Sequence, residues 1–389
     1  MKGLIFGAGN IGRGFLGLLL AKNGFEITFV DVDSVKVTAI QAEHGYPVFV
    51  ISEGGIREEA VYNATAILTT NTEAIERAIV EADIVLTAVG KDALKYLAPT
   101  LARGLVRRMK ERPRDEMHVA VVACENVQDN TTFLRDLVLQ QVANELTTQL
   151  VQTISFPNCV VDRIVPNTLP RKSASVLAVA VEEYFQLAID GEGLKGPFPS
   201  IVGIDVSENL RATLEQKLCT LNMAHAIVGY FGYMREYQFI HQAVTDSDIS
   251  QLLHGALWEV SEMITNRHAC IAPTQQQEYA KQVIARFKNP HLRDEIVRVA
   301  RQPRRKLGHE DRLIKPAILS AEQGNIPAFL VSGITAALHY KYSADLEARE
   351  LVKSIRENGI EHVLQHVSGI TPESDLGRLV KADFLLRAL

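Results

Sequence analysis

Short apolar runs alternate with helical periodicity through the first half of the chain, and helical periodicity alone fills the second. Leu4-Ile5-Phe6 reads as a buried strand, followed by an apolar helix that continues to Asn23 with Gly24 as its C-terminal cap. Ile27–Val30 reads as a second strand, Thr72–Ala82 as a helix, and Asp83–Val89 as a fully buried strand closed by Gly90. His118–Ala123 is another apolar strand and runs into Cys124-Glu125-Asn126; a helix from about Asp129 to Leu146 follows. Asn158–Pro166 reads as a strand whose Asp162-Arg163 forms an internal ion pair, while Val176–Ala188 fits a strand or an amphipathic helix equally. The glycine- and proline-rich loop Gly191–Pro199 marks a boundary, beyond which prolines and glycines punctuate only helices. The pattern therefore predicts a doubly wound α/β domain over residues 1–200 and an all-α domain over residues 201–389.

One of those helices differs from the rest. Ser207–Phe231 reads as a single helix with Ser207 as N-cap, and from Leu218 onward it is apolar almost throughout, as in a helix buried on most sides. Lys217, Asn222 and His225 interrupt it, and at about 100° per residue they fall on one broad face. Buried ammonium, amide and imidazole groups cost several kcal/mol unless partnered. The stripe is either a satisfied polar seam between helices or a general base with two hydrogen-bonding companions facing a substrate. Burial can lower an ammonium toward neutrality, so a lysine suits the second role.

Composition narrows the classes. The 389 residues are 47% hydrophobic and 22% charged, which is ordinary for a globular protein of two domains. A formal net charge of −5 argues against a general nucleic-acid binder, and no apolar run is long enough to cross a membrane. Glycines and Arg13 break the N-terminal apolar run, so it does not read as a signal peptide. Cys124, Cys159, Cys219 and Cys270 lack metal or disulfide spacing, which predicts a reducing, cytoplasmic setting. The basic cluster Arg103–Arg114 has no interleaved aromatics and reads as a solvated helix face.

The glycine pattern at the first strand is more specific. Gly7-Ala8-Gly9-Asn10-Ile11-Gly12 joins strand to helix, and Asp31 ends the next strand 19 residues after Gly12. Gly7 permits the tight turn, Gly9 lets backbone approach a pyrophosphate, and Gly12 lets helix and strand pack closely. The pyrophosphate then rests on the helix N-terminus, and Asp31 accepts the ribose hydroxyls while repelling a 2′-phosphate. Ala88 and Val89 end a neighbouring strand where the cofactor's nicotinamide side would lie. Strand, glycines, helix, strand and acid in register predict a Rossmann-type domain binding NAD in preference to NADP. Asn126, just past a strand's carboxyl end, is placed for a reacting oxygen or is simply a turn residue. Dense basic residues around Pro303 (Arg298, Arg301, Arg304, Arg305, Lys306) are either an anion clamp or a solvated loop.

Several stretches together resemble the polyol-specific long-chain dehydrogenases. They are Phe6-Gly-Ala-Gly-Asn-Ile-Gly-Arg-Gly14, Ala123-Cys-Glu-Asn126, Val161-Asp-Arg-Ile-Val-Pro166, Lys217-x4-Asn222-x2-His225, Arg301-Gln-Pro-x-Arg-Lys-Leu307 and Asp311-Arg-Leu-Ile-Lys-Pro316. They fall in family order along most of the chain, and the Lys-Asn-His spacing is the most specific. The resemblance implies Lys217 as general base, Asn126 and Asn222 on the reacting oxygen, and His225 and Asp162 on substrate hydroxyls. It implies metal-independent, NAD-dependent oxidation of D-mannitol 1-phosphate to D-fructose 6-phosphate by hydride transfer at C5, with Arg298, Arg301, Arg305 and Lys306 as candidates for the phosphate. A hexuronate or an unphosphorylated hexitol is the alternative substrate, and a catalytically silent NAD-binding sensor the alternative class. The expected partner is a sugar-alcohol phosphate, with no nucleic acid or membrane, in a monomer or weak homo-oligomer.

Overall fold

The structure, a computed structural model, describes residues 1–166, 169 and 172–387. The chain divides into two compact units, Met1–Thr213 and Leu214–Leu389.

In the first unit, strands β1 (Lys2–Phe6), β2 (Glu26–Asp31), β3 (Gly45–Ser52), β4 (Gly55–Tyr62), β5 (Ala64–Leu68), β6 (Ile84–Thr87) and β7 (Ala120–Ala123) are followed by β8 (Cys159–Asp162), β9 (Val179–Glu182), β10 (Gln186–Asp190) and β11 (Asp205–Ser207). A parallel sheet of order β5-β2-β1-β6-β7 carries the nucleotide pattern. The order reverses at β1, which has β2 on one side and β6 on the other, so a crevice opens beyond the carboxyl ends of β1 and β6. Both faces are covered: Leu4 and Phe6 of β1 enter one core and Ile5 the other, as strand alternation requires.

Two smaller sheets complete the unit, β4-β3-β9 and β11-β10-β8. The hairpin of β3 and β4, which no pattern above anticipates, places Tyr46 against the glycine-rich helix, where its hydroxyl donates to the Arg13 carbonyl at 3.0 Å. Val176–Ala188, left open between strand and helix, contains β9 and the start of β10. Arg163 does not form the expected pair with Asp162. Its guanidinium donates to the carbonyls of Glu182 and Gly14 and lies over the rings of Phe15 and Phe185, so cation–π contact and backbone acceptors hold it in the core. The helix expected over Asp129–Leu146 is two, Asn130–Leu139 and Asn144–Thr153, because the chain turns at Gln140–Ala143. The Arg103–Arg114 cluster is only partly solvated. Arg103 and Arg107 pair with glutamates at the surface, but Arg108 is 3% exposed and donates to the carbonyls of Ile79, Val80, Ala82, Glu116, Met117 and His118.

The second unit contains no strand among its described residues. Its central helix, Met223–Met234, is buried on most sides and packs against Ser247–Arg267, Ile296–Ala300 and Ala328–Leu338. Glu259 on the long helix caps the N-terminus of Ala328–Leu338 from outside, accepting from the amides of Phe329 and Leu330 at 2.9 Å each. Among the described residues no helix is long and apolar enough to cross a membrane.

The single helix expected from Ser207 is three segments. Ser207 ends β11 and accepts from the Asn209 amide; Asn209 is the cap, accepting from Ala212 at 3.1 Å. An α-helix runs Leu210–Lys217, a π-helical turn Leu218–Asn222, and α-helix again from Met223.

Candidate active site

In the first unit, the glycine loop has the shape its residues predict. Gly7 sits at φ 99°, and a Cβ there would come within 2.5 Å of the Ala88 carbonyl oxygen. A Cβ on Gly12 would come within 1.8 Å of the Gly7 oxygen, so helix and strand approach as closely as only glycine allows. Nothing lies within 4 Å of the Cβ position of Gly9, which leaves that backbone open to a pyrophosphate. Asp31 accepts from the Ala8 amide at 2.6 Å and from the Asp33 amide at 2.9 Å, so its carboxylate is held at the loop. Buried Arg13 ties the same loop down, donating to the carbonyls of Ala8 and Leu177. Gly7, Ala8, Gly9, Asn10, Ile11, Gly12, Asp31, Ala88 and Val89 thus converge on one crevice, which fits a dinucleotide carrying a free ribose 2′-hydroxyl.

At the end of β7 the chain turns outward. Asn126 is exposed, whereas its neighbour Glu125 is 5% exposed and binds backward. Glu125 accepts from Thr87 Oγ1 at 2.7 Å and from the Val89 amide at 3.0 Å, so one carboxylate joins the ends of β6 and β7. Burial pushes this carboxyl up, against the pull of those two hydrogen bonds. The sequence reading passed over Glu125, although a charge directly after an apolar strand was visible. Asp162, at the end of β8, is 2% exposed.

In the second unit, Lys217 is 6% exposed at the head of the π turn, while Asn222 at its foot and His225 one turn on are half-buried. The turn changes the geometry expected from an ideal helix. An α-helix would set Lys217 and Asn222 about 140° apart, but i→i+5 bonding advances about 80° per residue and brings them within about 50°. His225 stacks on Phe287 at 4.7 Å, and its Nε2 lies 2.9 Å from Asp294 Oδ2, bent away from a straight hydrogen bond. Burial lowers the imidazole's proton affinity more than Asp294 raises it, which favours neutral His225. Asp294 was also missed, although it stands four residues before Arg298, the spacing of a helical ion pair.

The basic residues separate into two groups. Arg298 is engaged, donating Nε and a terminal nitrogen to Asp294 Oδ1 at 2.8 and 2.5 Å. Lys306 is 3% exposed and donates to the Arg301 carbonyl. Arg301 and Arg305 reach the surface, and among the described residues neither guanidinium has a hydrogen-bond or ion-pair partner. Gln302, at φ 59°, and Arg305 dock their amides on Asp345 and Glu347, fixing the turn that presents both arginines. Among the described residues no group of three or more metal-ligating side chains is gathered.

Comparison with known proteins shows the family and the fold. A family model described as the mannitol dehydrogenase Rossmann domain matches residues 1–203, and one described as the mannitol dehydrogenase C-terminal domain matches residues 209–380. A mannitol-1-phosphate 5-dehydrogenase from Bacillus pumilus (strain SAFR-032) is 39% identical over 377 residues, 97% of each chain. A substrate-free D-sorbitol dehydrogenase superposes with a TM-score of 0.81 at 17% identity, over 99% of this chain and 92% of that one. Mannitol 2-dehydrogenase of Pseudomonas fluorescens, in a ternary complex with NAD and D-mannitol, gives 0.77 at 16% identity, over 100% and 92%. Matched by family models in both halves, and by a curated relative along nearly its whole length, the chain belongs to the mannitol dehydrogenase family of enzymes.

Proposed function

We propose that this chain interconverts D-mannitol 1-phosphate and D-fructose 6-phosphate with NAD, oxidising C5 of the polyol. The observation that carries the reading is the 39% identity, along 97% of the chain, to an enzyme of that name. The amides of Gly9–Gly12 would hold the pyrophosphate of NAD and Asp31 its ribose hydroxyls, with Ala88 and Val89 toward the nicotinamide. NAD held there would supply the hydride acceptor for the carbinol carbon. Lys217 takes the hydroxyl proton as the carbon is oxidised and returns it in the reverse direction. Asn126 and Asn222 donate to the same oxygen, stabilising it as alkoxide and polarising it as ketone. His225 and Asp162 contact the remaining hydroxyls. Arg301 and Arg305 bind the phosphate, with Lys306 supporting Arg301 through its carbonyl, while Arg298 holds Asp294 beside His225.

The test is a panel of D-mannitol 1-phosphate, D-mannitol, other hexitols, their phosphates and hexuronates with NAD, followed by NADH absorbance. The expected result is turnover with D-mannitol 1-phosphate at least about a hundredfold above the unphosphorylated hexitol in kcat/KM, the worth of two charge-assisted contacts. Preference for a hexuronate or free hexitol replaces the substrate; no turnover with any of them removes the enzymatic reading.

A further inference from the structure

The π turn between Lys217 and Asn222 omits the ordinary i→i+4 register, which leaves it less stable than the α-helix on either side. Such a turn persists where its surroundings hold it. Its closing amide, Met223 N–H, reaches back to the Leu218 carbonyl five residues earlier. Two sets of side chains meet the segment. On one side, buried Glu215 accepts from Arg267 Nε at 2.7 Å and lies 2.5 Å from His268 Nε2, anchoring the helix before the turn. On the other side is Gln276, on the helix Pro273–Lys288 and 0% exposed.

The Gln276 carboxamide is engaged at both ends. Its Oε1 accepts from Gln216 Nε2 at 2.9 Å, and its Nε2 donates to Thr220 Oγ1 at 3.0 Å and to Ser261 Oγ at 3.5 Å. Ser261 is itself fixed, donating to the Leu257 carbonyl at 2.7 Å. Gln216 immediately precedes Lys217, and Thr220 lies inside the π turn. One buried amide therefore bridges the residue before the base and the middle of the turn that follows it. A fully buried amide with both ends satisfied is a rigid spacer, since breaking either bond strands a polar group away from water.

We propose that Gln276 is a positioning residue: it clamps the π turn and so sets the angle between Lys217 and Asn222. This rests on the reading of those two residues as base and oxyanion partner. With the clamp gone, the segment can relax toward α-helical register, which would swing Asn222 about 90° away from Lys217. Gln276 acts through its hydrogen bonds to Gln216 and Thr220, and its effect falls on turnover, leaving cofactor binding intact.

The experiment is a double-mutant cycle on the full-length protein. Gln276→Leu, similar in volume but without the amide, is expected to lower kcat about 10- to 100-fold, with KM for the sugar phosphate and Kd for NADH each changed less than about threefold. Introduced into Asn222→Ala, Gln276→Leu should cost little more, because the pair it aligns is already broken. A merely structural role would make the two losses additive and appear chiefly as a lower Tm. Should Gln276→Leu not fold, Thr220→Val removes the same bridge from its other end and is read by the same criteria. Lys217→Ala in parallel separates the two levels. If it keeps turnover, the base assignment falls and takes the positioning role with it. If it loses turnover while folded Gln276→Leu or Thr220→Val keeps full kcat, or while the cycle is additive, the positioning role alone is overturned.

Discussion

Lys306 is 3% exposed among Arg312, Arg305 and Arg301, and burial first, then these cations, hold its ammonium down to about 6, with only Asp311 opposing. Its ordinary value is 10.5, so between about pH 6 and 10.5 the unfolded chain binds a proton that the folded chain does not, and stability rises with pH across that window. Below about pH 6 the penalty is present in full. Lys306→Met should therefore stabilise the protein most near pH 6 and progressively less toward pH 10, followed by urea unfolding; a pH-independent change would contradict this. Arg301→Ala and Arg305→Ala each remove a guanidinium fork that is unengaged among the described residues. Each should cost on the order of 2 kcal/mol in kcat/KM for the phosphorylated substrate and little for free D-mannitol, and equal losses on both would remove the clamp. Asp31→Ser should narrow the NAD-over-NADP ratio in steady-state kinetics, because the carboxylate beside the loop is the feature that repels a 2′-phosphate. An unchanged ratio would move cofactor selection elsewhere. The place of Asp31 at the glycine loop and the burial of Lys217 were legible because both follow from local spacing. Glu125 and Asp294 were not, since Glu125 binds Thr87, 38 residues away, and Asp294 matters through His225.

At the scale of elements, Arg108 acts as a cap. Its donors reach the carbonyls of Ile79, Val80 and Ala82 at the C-terminal end of the helix Thr72–Glu81, where main-chain acceptors lack helical partners and a cation suits the dipole. Arg108→Met should lower unfolding stability by about 2–4 kcal/mol, because several buried carbonyls lose a charged donor together. A cost below about 0.5 kcal/mol would mean that water replaces it. The periodicity of the helix Leu94–Glu111 showed a basic face but not that one of its arginines turns inward, which depends on the neighbouring helix. Four of the five strands of the parallel sheet were legible from continuous apolar runs between turn residues; the edge strand β5, Ala-Thr-Ala-Ile-Leu, was not. The β3-β4 hairpin escaped because β4, Gly-Ile-Arg-Glu-Glu-Ala-Val-Tyr, is largely exposed and charged and has no clear alternation. The π turn escaped for a different reason: Leu-Cys-Thr-Leu-Asn is compatible with an α-helix, and contacts to Gln276 hold the other register.

Across the whole molecule, the order of motifs was readable and their spatial consequences were not. A glycine loop, a strand-end Asn and a Lys-Asn-His stripe carry the resemblance to the family, whereas the positions of Arg13, Glu125 and Gln276 follow from packing between elements distant in sequence. The units divide at Thr213, past the glycine-rich loop where composition changes, because β11 pairs with β10 and keeps that segment with the first unit. With a lysine proposed as base, chelation should not affect turnover: activity should survive prolonged EDTA, and a loss that zinc restores would overturn the mechanism. The central claim is that Lys217 is the acid–base group. Its most direct measurement is the pH dependence of kcat in both directions, for the parent protein and Lys217→Ala. The parent should show alcohol oxidation rising and ketone reduction falling through one shared ionisation, and Lys217→Ala should lose about 10²–10⁴-fold in turnover, lose that ionisation and still bind NADH. Near-parental turnover in Lys217→Ala with the same ionisation would contradict the account and reduce the stripe to a buried seam.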